Sequence, residues 1–162
     1  MGRESATRPA QDDGGDGGFT LIELMIVIGI IAVLLSVALP TFMGSRQKAQ
    51  DRAAQADLRV GLTAIRTAYI DGQSYVSAAT QLASVEPTLT YVTAPGASSG
   101  GTGQIAVNAV DDQNVGMSAL AGDGMCWELF DSTASGTTYG SLAHRTSTTC
   151  QAPGSPLSAS NW

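Results

Sequence analysis

The stretch GFTLIELMIVIGIIAVLLSVALP, from Gly18 to Pro40, decides how this chain is read. The 21 residues from Phe19 to Leu39 hold one ionisable side chain, Glu23, and the next charge is Arg46. As a helix rising about 1.5 Å per residue they span roughly 31 Å, the thickness of a bilayer's hydrocarbon core. Fourteen of the 21 are Leu, Ile, Val or Phe. Insertion therefore gains roughly 4 to 8 kcal/mol and outweighs the loss of about 3 kcal/mol at Glu23. A secretory signal peptide fits less well, since its apolar region of about 7 to 15 residues ends at a small-residue cleavage site. A buried helix of such uniform apolarity needs a larger core than 162 residues supply.

Outward toward the amino terminus, residues 1–18 are polar and end in Gly14-Gly15-Asp16-Gly17-Gly18, a composition that suits a leader and no packed element. In the other direction, Pro40 removes a backbone donor and crowds the carbonyl of Ser36, which predicts a kink in a continuing helix. Ala54, Leu58, Leu62, Ile65 and Tyr69 then recur at intervals of four, four, three and four, the period of one helical face. This predicts a helix to Asp71 that ends at Gly72. Arg52, Arg59 and Arg66, seven apart, form a stripe on another side of it. Two readings stand for the stripe: a solvated face, or a surface that meets acidic parts of neighbouring subunits.

Beyond Gly72, short apolar runs alternate with turn residues, and Ala94 to Gly103 is rich in Gly and Ser. Strands are predicted over Thr88–Thr93, Gln104–Val110, Val115–Leu120, Met125–Phe130 and Thr137–Leu142, with hairpin connections between the later ones. Gln151 to Trp162, polar and punctuated by proline, reads as a loosely attached tail.

The net charge of −6 is unevenly placed. Residues 19–66 carry five bases (Arg46, Lys48, Arg52, Arg59, Arg66) against Glu23, Asp51 and Asp57. Beyond them a single base, Arg145, faces seven acids: Asp71, Glu86, Asp111, Asp112, Asp123, Glu128 and Asp131. The stem is basic and the head acidic.

The string Gly18-Phe19-Thr20-Leu21-Ile22-Glu23-Leu24-Met25 resembles the processing site of type IV pilins and pseudopilins, and Pro40 falls where that family has its helix-kinking proline. The resemblance implies cleavage between Gly18 and Phe19 by a membrane-embedded prepilin peptidase, with methylation of the new amino terminus. The implied fold is α+β. A long helix, membrane-spanning over 19–39, kinked near Pro40 and amphipathic over 40–71, packs on a small antiparallel sheet in a head of 72–162. The implied life history starts as a single-pass precursor in the cytoplasmic membrane with residues 1–18 as the leader. A membrane platform and an assembly ATPase then build copies of the chain into a helical filament at the cell surface. Gly29, Pro40 and Gly44 are the candidate weak points of the helix.

Glu23 stands out on physical grounds as well. A carboxylate four residues inside an apolar segment is costly and calls for a partner. After cleavage the amine of Phe19 lies about 6 Å away along one helix, and an axially shifted neighbour could bring its own amine closer. Such a pair would set the axial register of a filament, and an unpaired Glu23 would penalise misregistered packing.

Cys126 and Cys150 are the only cysteines, both in the part expected outside the membrane, and are read as a disulfide. The alternative, a pair of metal ligands, lacks further Cys or His at suitable spacing. Gly96-Ala97-Ser98-Ser99-Gly100 fits the nucleophile-elbow pattern but sits in a Gly and Ser tract. His144 is the sole histidine, so any Ser or Cys dyad would depend on it. Asp111, Asp112, Asn114 and Asp123 offer oxygen ligands for a hard cation, or ordinary turn chemistry. No phosphate loop or zinc helix is present, so no cofactor, metal site or enzymatic activity is expected. Three roles share the N-terminal motif: a pilus subunit, a secretion pseudopilin and a DNA-uptake pilin. The acidic head argues against direct nucleic-acid binding.

Overall fold

The computed structural model describes residues 18–162 except 102, 144 and 161. The leader expected over 1–18 thus lies outside the described residues save for Gly18, and so does His144. Helix α1, Leu21–Gly72, is 52 residues long and contains Pro40 in its interior. Two compact units divide at Thr41 and Phe42.

In the first unit every described residue is exposed. Fifteen large apolar side chains from Phe19 to Leu39 are each between 48% and 84% exposed. A monomeric soluble protein rarely leaves more than a few hundred Å² of contiguous apolar surface in water, so this helix is built to be covered by lipid or by protein.

In the second unit, Phe42–Trp162, α1 buries Ala54, Leu58, Gly61, Leu62, Ala64, Ile65 and Ala68, the face predicted from the spacing. Gly61 marks the closest approach to the sheet, since a Cβ there would stand 2.7 Å from Ile105 Cδ1 and 2.9 Å from Met117 Cε. The helix stops where expected, but the left-handed residue is Gln73, with φ 51°. Its N–H donates to the Tyr69 carbonyl at 2.7 Å, which satisfies one of the carbonyls that a helix end leaves open.

A second helix, α2, spans Tyr75–Val85 and was not anticipated. Ser74 caps it in extended geometry, its Oγ accepting from Ser77 N at 3.3 Å. Tyr75, Ala78, Ala79 and Leu82 form its buried face.

The sheet contains β1 (Thr90–Thr93), β2 (Gln104–Asp111), β3 (Asn114–Leu120), β4 (Cys126–Ser132) and β5 (Gly136–Leu142), hydrogen-bonded in chain order. It is mixed, where a wholly antiparallel sheet was expected: β1 runs parallel to β2, Thr90 opposite Gln104, and the other pairs are antiparallel. A parallel neighbour requires the chain to travel back along the strand, and the stretch from Ala94 to Gly103 does so. That stretch is anchored rather than loose, since Ser98 bridges to Gln151 and Ser99 N donates to the Cys150 carbonyl.

Alternation sorts the two faces. Ile105, Val107, Val115, Met117, Ala119 and Leu129 join α1 and α2 in the main core. The opposite face carries Ala106, which packs with Ala97 and Ala152. The tail runs over that face as far as Leu157, ends with Trp162 against the main core, and is not loosely attached. Ala152 N donates to the Ala97 carbonyl, Ala159 exchanges backbone bonds with Tyr139, and Leu157 N donates to Thr138 Oγ1 at 2.9 Å. A side chain at Gly116 would collide with the backbone of Pro153, so a residue without Cβ is what lets the tail lie flat on β3.

Candidate functional site

Thr20 and Glu23 close the amino-terminal end of α1 on each other. Thr20 N and Oγ1 donate to Glu23 Oε2 at 3.2 and 3.0 Å, and Glu23 N donates to Thr20 Oγ1 at 3.2 Å. This is a capping box, in which side chains answer the orphan N–H groups of a first turn. The Thr-x-x-Glu signature was legible in the sequence and was missed. The box gives the Glu23 carboxylate partners within its own chain. Gly18 and Phe19 lie just before the helix and are exposed.

The structure separates the predicted arginine stripe into different environments. Arg66 makes a two-pronged ion pair with Asp131, Nε to Oδ2 at 3.0 Å and Nη2 to Oδ1 at 2.6 Å, and also reaches Thr137 Oγ1 at 2.8 Å. Tyr75 OH donates to Asp131 Oδ2 at 2.6 Å, and Thr137 Oγ1 to Oδ1 at 2.8 Å. Burial alone would push this carboxyl up, but Arg66, Tyr75 and Thr137 together outweigh it and hold Asp131 below the usual carboxylate range. Arg59 lies over the ring of Trp162 at 5.6 Å, and Trp162 stacks edge-on against Trp127 and Tyr139. Arg52 is exposed.

Cys126 and Cys150 form the disulfide, with Cα atoms 5.4 Å apart and both residues fully buried. Ser98 belongs to no strand-to-helix turn; its Oγ donates to the Thr148 carbonyl at 3.1 Å. The proposed cation ligands serve turns instead. Asp111 Oδ1 accepts from Gln113 N at 2.8 Å and from Asn114 Nδ2 at 2.9 Å, Asp112 accepts from Ser74 Oγ, and Asp123 accepts from Met125 N at 3.0 Å. Glu128, on the tail-covered face, is raised by burial, with the Arg145 charge opposing.

Comparison with known proteins bears on the N-terminal site. Residues 15–39 match the family described as the prokaryotic N-terminal methylation motif. The chain is 44% identical over 59 residues to the type IV major alpha-pilin of Moraxella bovis, covering 36% of this chain and 37% of that one. It is 43% identical over 60 residues to the type IV wide pilus major component PilA4 of Thermus thermophilus, covering 37% and 46%. It is 40% identical over 58 residues to the type II secretion system core protein G of Escherichia coli, covering 36% and 40%. The matched stretch thus spans less than half the length of each of these relatives. No solved structure matches. The chain carries the prokaryotic N-terminal methylation motif at the head of its apolar helix and, over part of its length, is homologous to type IV pilins and to type II secretion core protein G.

Proposed function

We propose that the chain is the structural subunit of a type IV pilus-like filament. One observation carries this reading: a methylation motif opens a helix whose apolar residues from Phe19 to Leu39 are exposed among the described residues. In the precursor that cover is lipid, residues 19–39 crossing the cytoplasmic membrane behind the leader 1–18. A prepilin peptidase cuts between Gly18 and Phe19. A membrane platform and an assembly ATPase then move the subunit into a helical polymer, where the same helices cover one another. The disulfide-closed second unit forms the filament's outer layer, and the chain performs no chemistry of its own.

Glu23 is assigned to register. In a dry filament core its carboxylate meets a Phe19 amine, and a subunit placed at the wrong axial step leaves that charge unpaired. Glu23→Gln preserves the acceptor of the capping box and removes the charge. The variant is expected to be inserted and cut normally, and to yield at least about tenfold less filament on shearing than the parent. An undiminished filament yield would remove Glu23 from assembly, and a parent chain recovered only from membranes would overturn the filament itself. The likeness to core protein G supports a second reading, a short secretion pseudopilus, which the same fractionation separates by showing whether the polymer leaves the cell.

A further inference from the structure

We propose that Lys48 and Arg52 of one copy dock against the acidic C-terminal end of α1 in the next copy along the filament, where Asp71 lies in the last turn and Asp112 is bonded to Ser74 just beyond it. This rests on the filament reading and adds the longitudinal contact between second units.

Lys48, Arg52, Arg59 and Arg66 recur at intervals of four, seven and seven, which places all four on one side of the helix. The two nearer the C-terminus are committed within the chain, Arg66 to Asp131 and Arg59 to Trp162. Lys48 and Arg52 are exposed and make no hydrogen bond or ion pair with described residues. They are cations presented outward without an ion pair among the described residues.

The other end of the same helix has the opposite deficit. Its last turn has no basic residue and contains Asp71, so a carboxylate adds to the partial negative charge of the terminal carbonyls. Asp112, held by Ser74 Oγ and by the bond from Tyr75 N to its carbonyl, sits next to that end, and Asp111 precedes it on β2. All three aspartates are exposed. Beyond Arg66 the only base in the sequence is Arg145. Arg145 is tied to the Gly124 carbonyl through its backbone, and its charge acts on Glu128. Among the described residues no cation forms an ion pair with Asp71, Asp111 or Asp112.

Nineteen residues of helix separate Arg52 from Asp71, roughly 28 Å of axial rise, so the two patches of one copy cannot meet. Between copies they can, and because the patches differ, each copy keeps one free to continue the chain. Such a heterologous contact propagates as an open polymer, and complementary charge fixes which end faces which.

Lys48→Glu with Arg52→Glu is expected to reduce sheared filament about tenfold or more, while insertion, cleavage and the melting of the second unit stay as in the parent. Adding Asp71→Lys and Asp112→Lys is expected to restore the yield. Full yield from the first pair of changes, or no recovery in a quadruple variant that melts like the parent, would overturn the contact. Should the quadruple variant fail to fold, Arg52→Cys with Asp71→Cys decides, since the native cysteines are paired. Oxidised filaments are then expected to run as a ladder of cross-linked subunits, and monomer alone from intact filaments would overturn the proposal. A parent chain that forms no filament would sink the proposed function instead, which keeps the two failures distinct.

Discussion

Asp131→Ala is expected to destabilise the second unit by about 2 to 4 kcal/mol, measured as a shift in urea unfolding. The carboxylate is 1% exposed and accepts from Arg66, Tyr75 and Thr137, so one group joins α1, α2, β4 and β5. The Arg66 side chain is 49% exposed, so its attraction is screened and it regains water when its partner is removed. The larger part of the loss comes from the Tyr75 hydroxyl, which is left buried without an acceptor. A change under about 1 kcal/mol would mean that packing alone fixes these elements. The same carboxylate gives the unit a pH dependence. Its folded pKa lies below the ordinary value, so the unfolded chain binds the extra proton. The stability it contributes is therefore complete above about pH 4 and is lost as pH falls through the lower, folded value. Glu128, raised by burial, acts in the opposite sense and favours the fold at acid pH. The difference between the curves of parent and Asp131→Ala isolates the Asp131 contribution, and it is expected to shrink steadily below pH 4.

Replacing both Cys126 and Cys150 by Ser is expected to cost about 3 to 4 kcal/mol, on the loop-entropy treatment of a cross-link between residues 24 apart. The structure adds a local consequence. The Cys150 carbonyl accepts from Ser99 N at 2.9 Å and from Ser118 Oγ at 3.2 Å, so the bridge holds the start of the tail against both β3 and the stretch between β1 and β2. Loss of the bridge should therefore expose the tail-covered face first, with faster amide exchange at Ala152 and Leu157 than at Leu129. A double variant that unfolds within about 1 kcal/mol of the parent would show that the tail is held by its hydrogen bonds alone.

What the sequence disclosed and what it hid divide along range. The Ala54 to Tyr69 periodicity is a property of consecutive residues, and the helix face it predicted is the one that packs. The strands from Gln104 to Leu142 were bounded within a residue or two, because turn residues mark their ends. Helix α2 was legible in principle, since Ser74 precedes Tyr75, Ala78, Ala79 and Leu82 at helical spacing, but alanine carries little hydrophobic signal and the short apolar runs beyond Gly72 suggested a change to strands. The parallel β1 depends on where Ala94 to Gly103 travels, which no local pattern specifies. The tail has a polar composition that reads as loose. It is held by backbone bonds to Ala97 and Tyr139 and by Trp162 Nε1 donating to the Gly140 carbonyl, contacts to partners distant in the chain. At the N-terminal site Glu23 stood out in the sequence as a lone carboxylate in an apolar run, while its capping box with Thr20, written in the Thr-x-x-Glu spacing, was overlooked in favour of a partner in another chain.

The amino terminus and intact mass of the subunit in sheared filaments test the filament reading most directly. The expected result is a chain that begins at N-methylated Phe19 and weighs two hydrogens less than its reduced form. A chain confined to membranes and still beginning at Met1 would contradict it and leave a protein anchored by an uncut apolar helix.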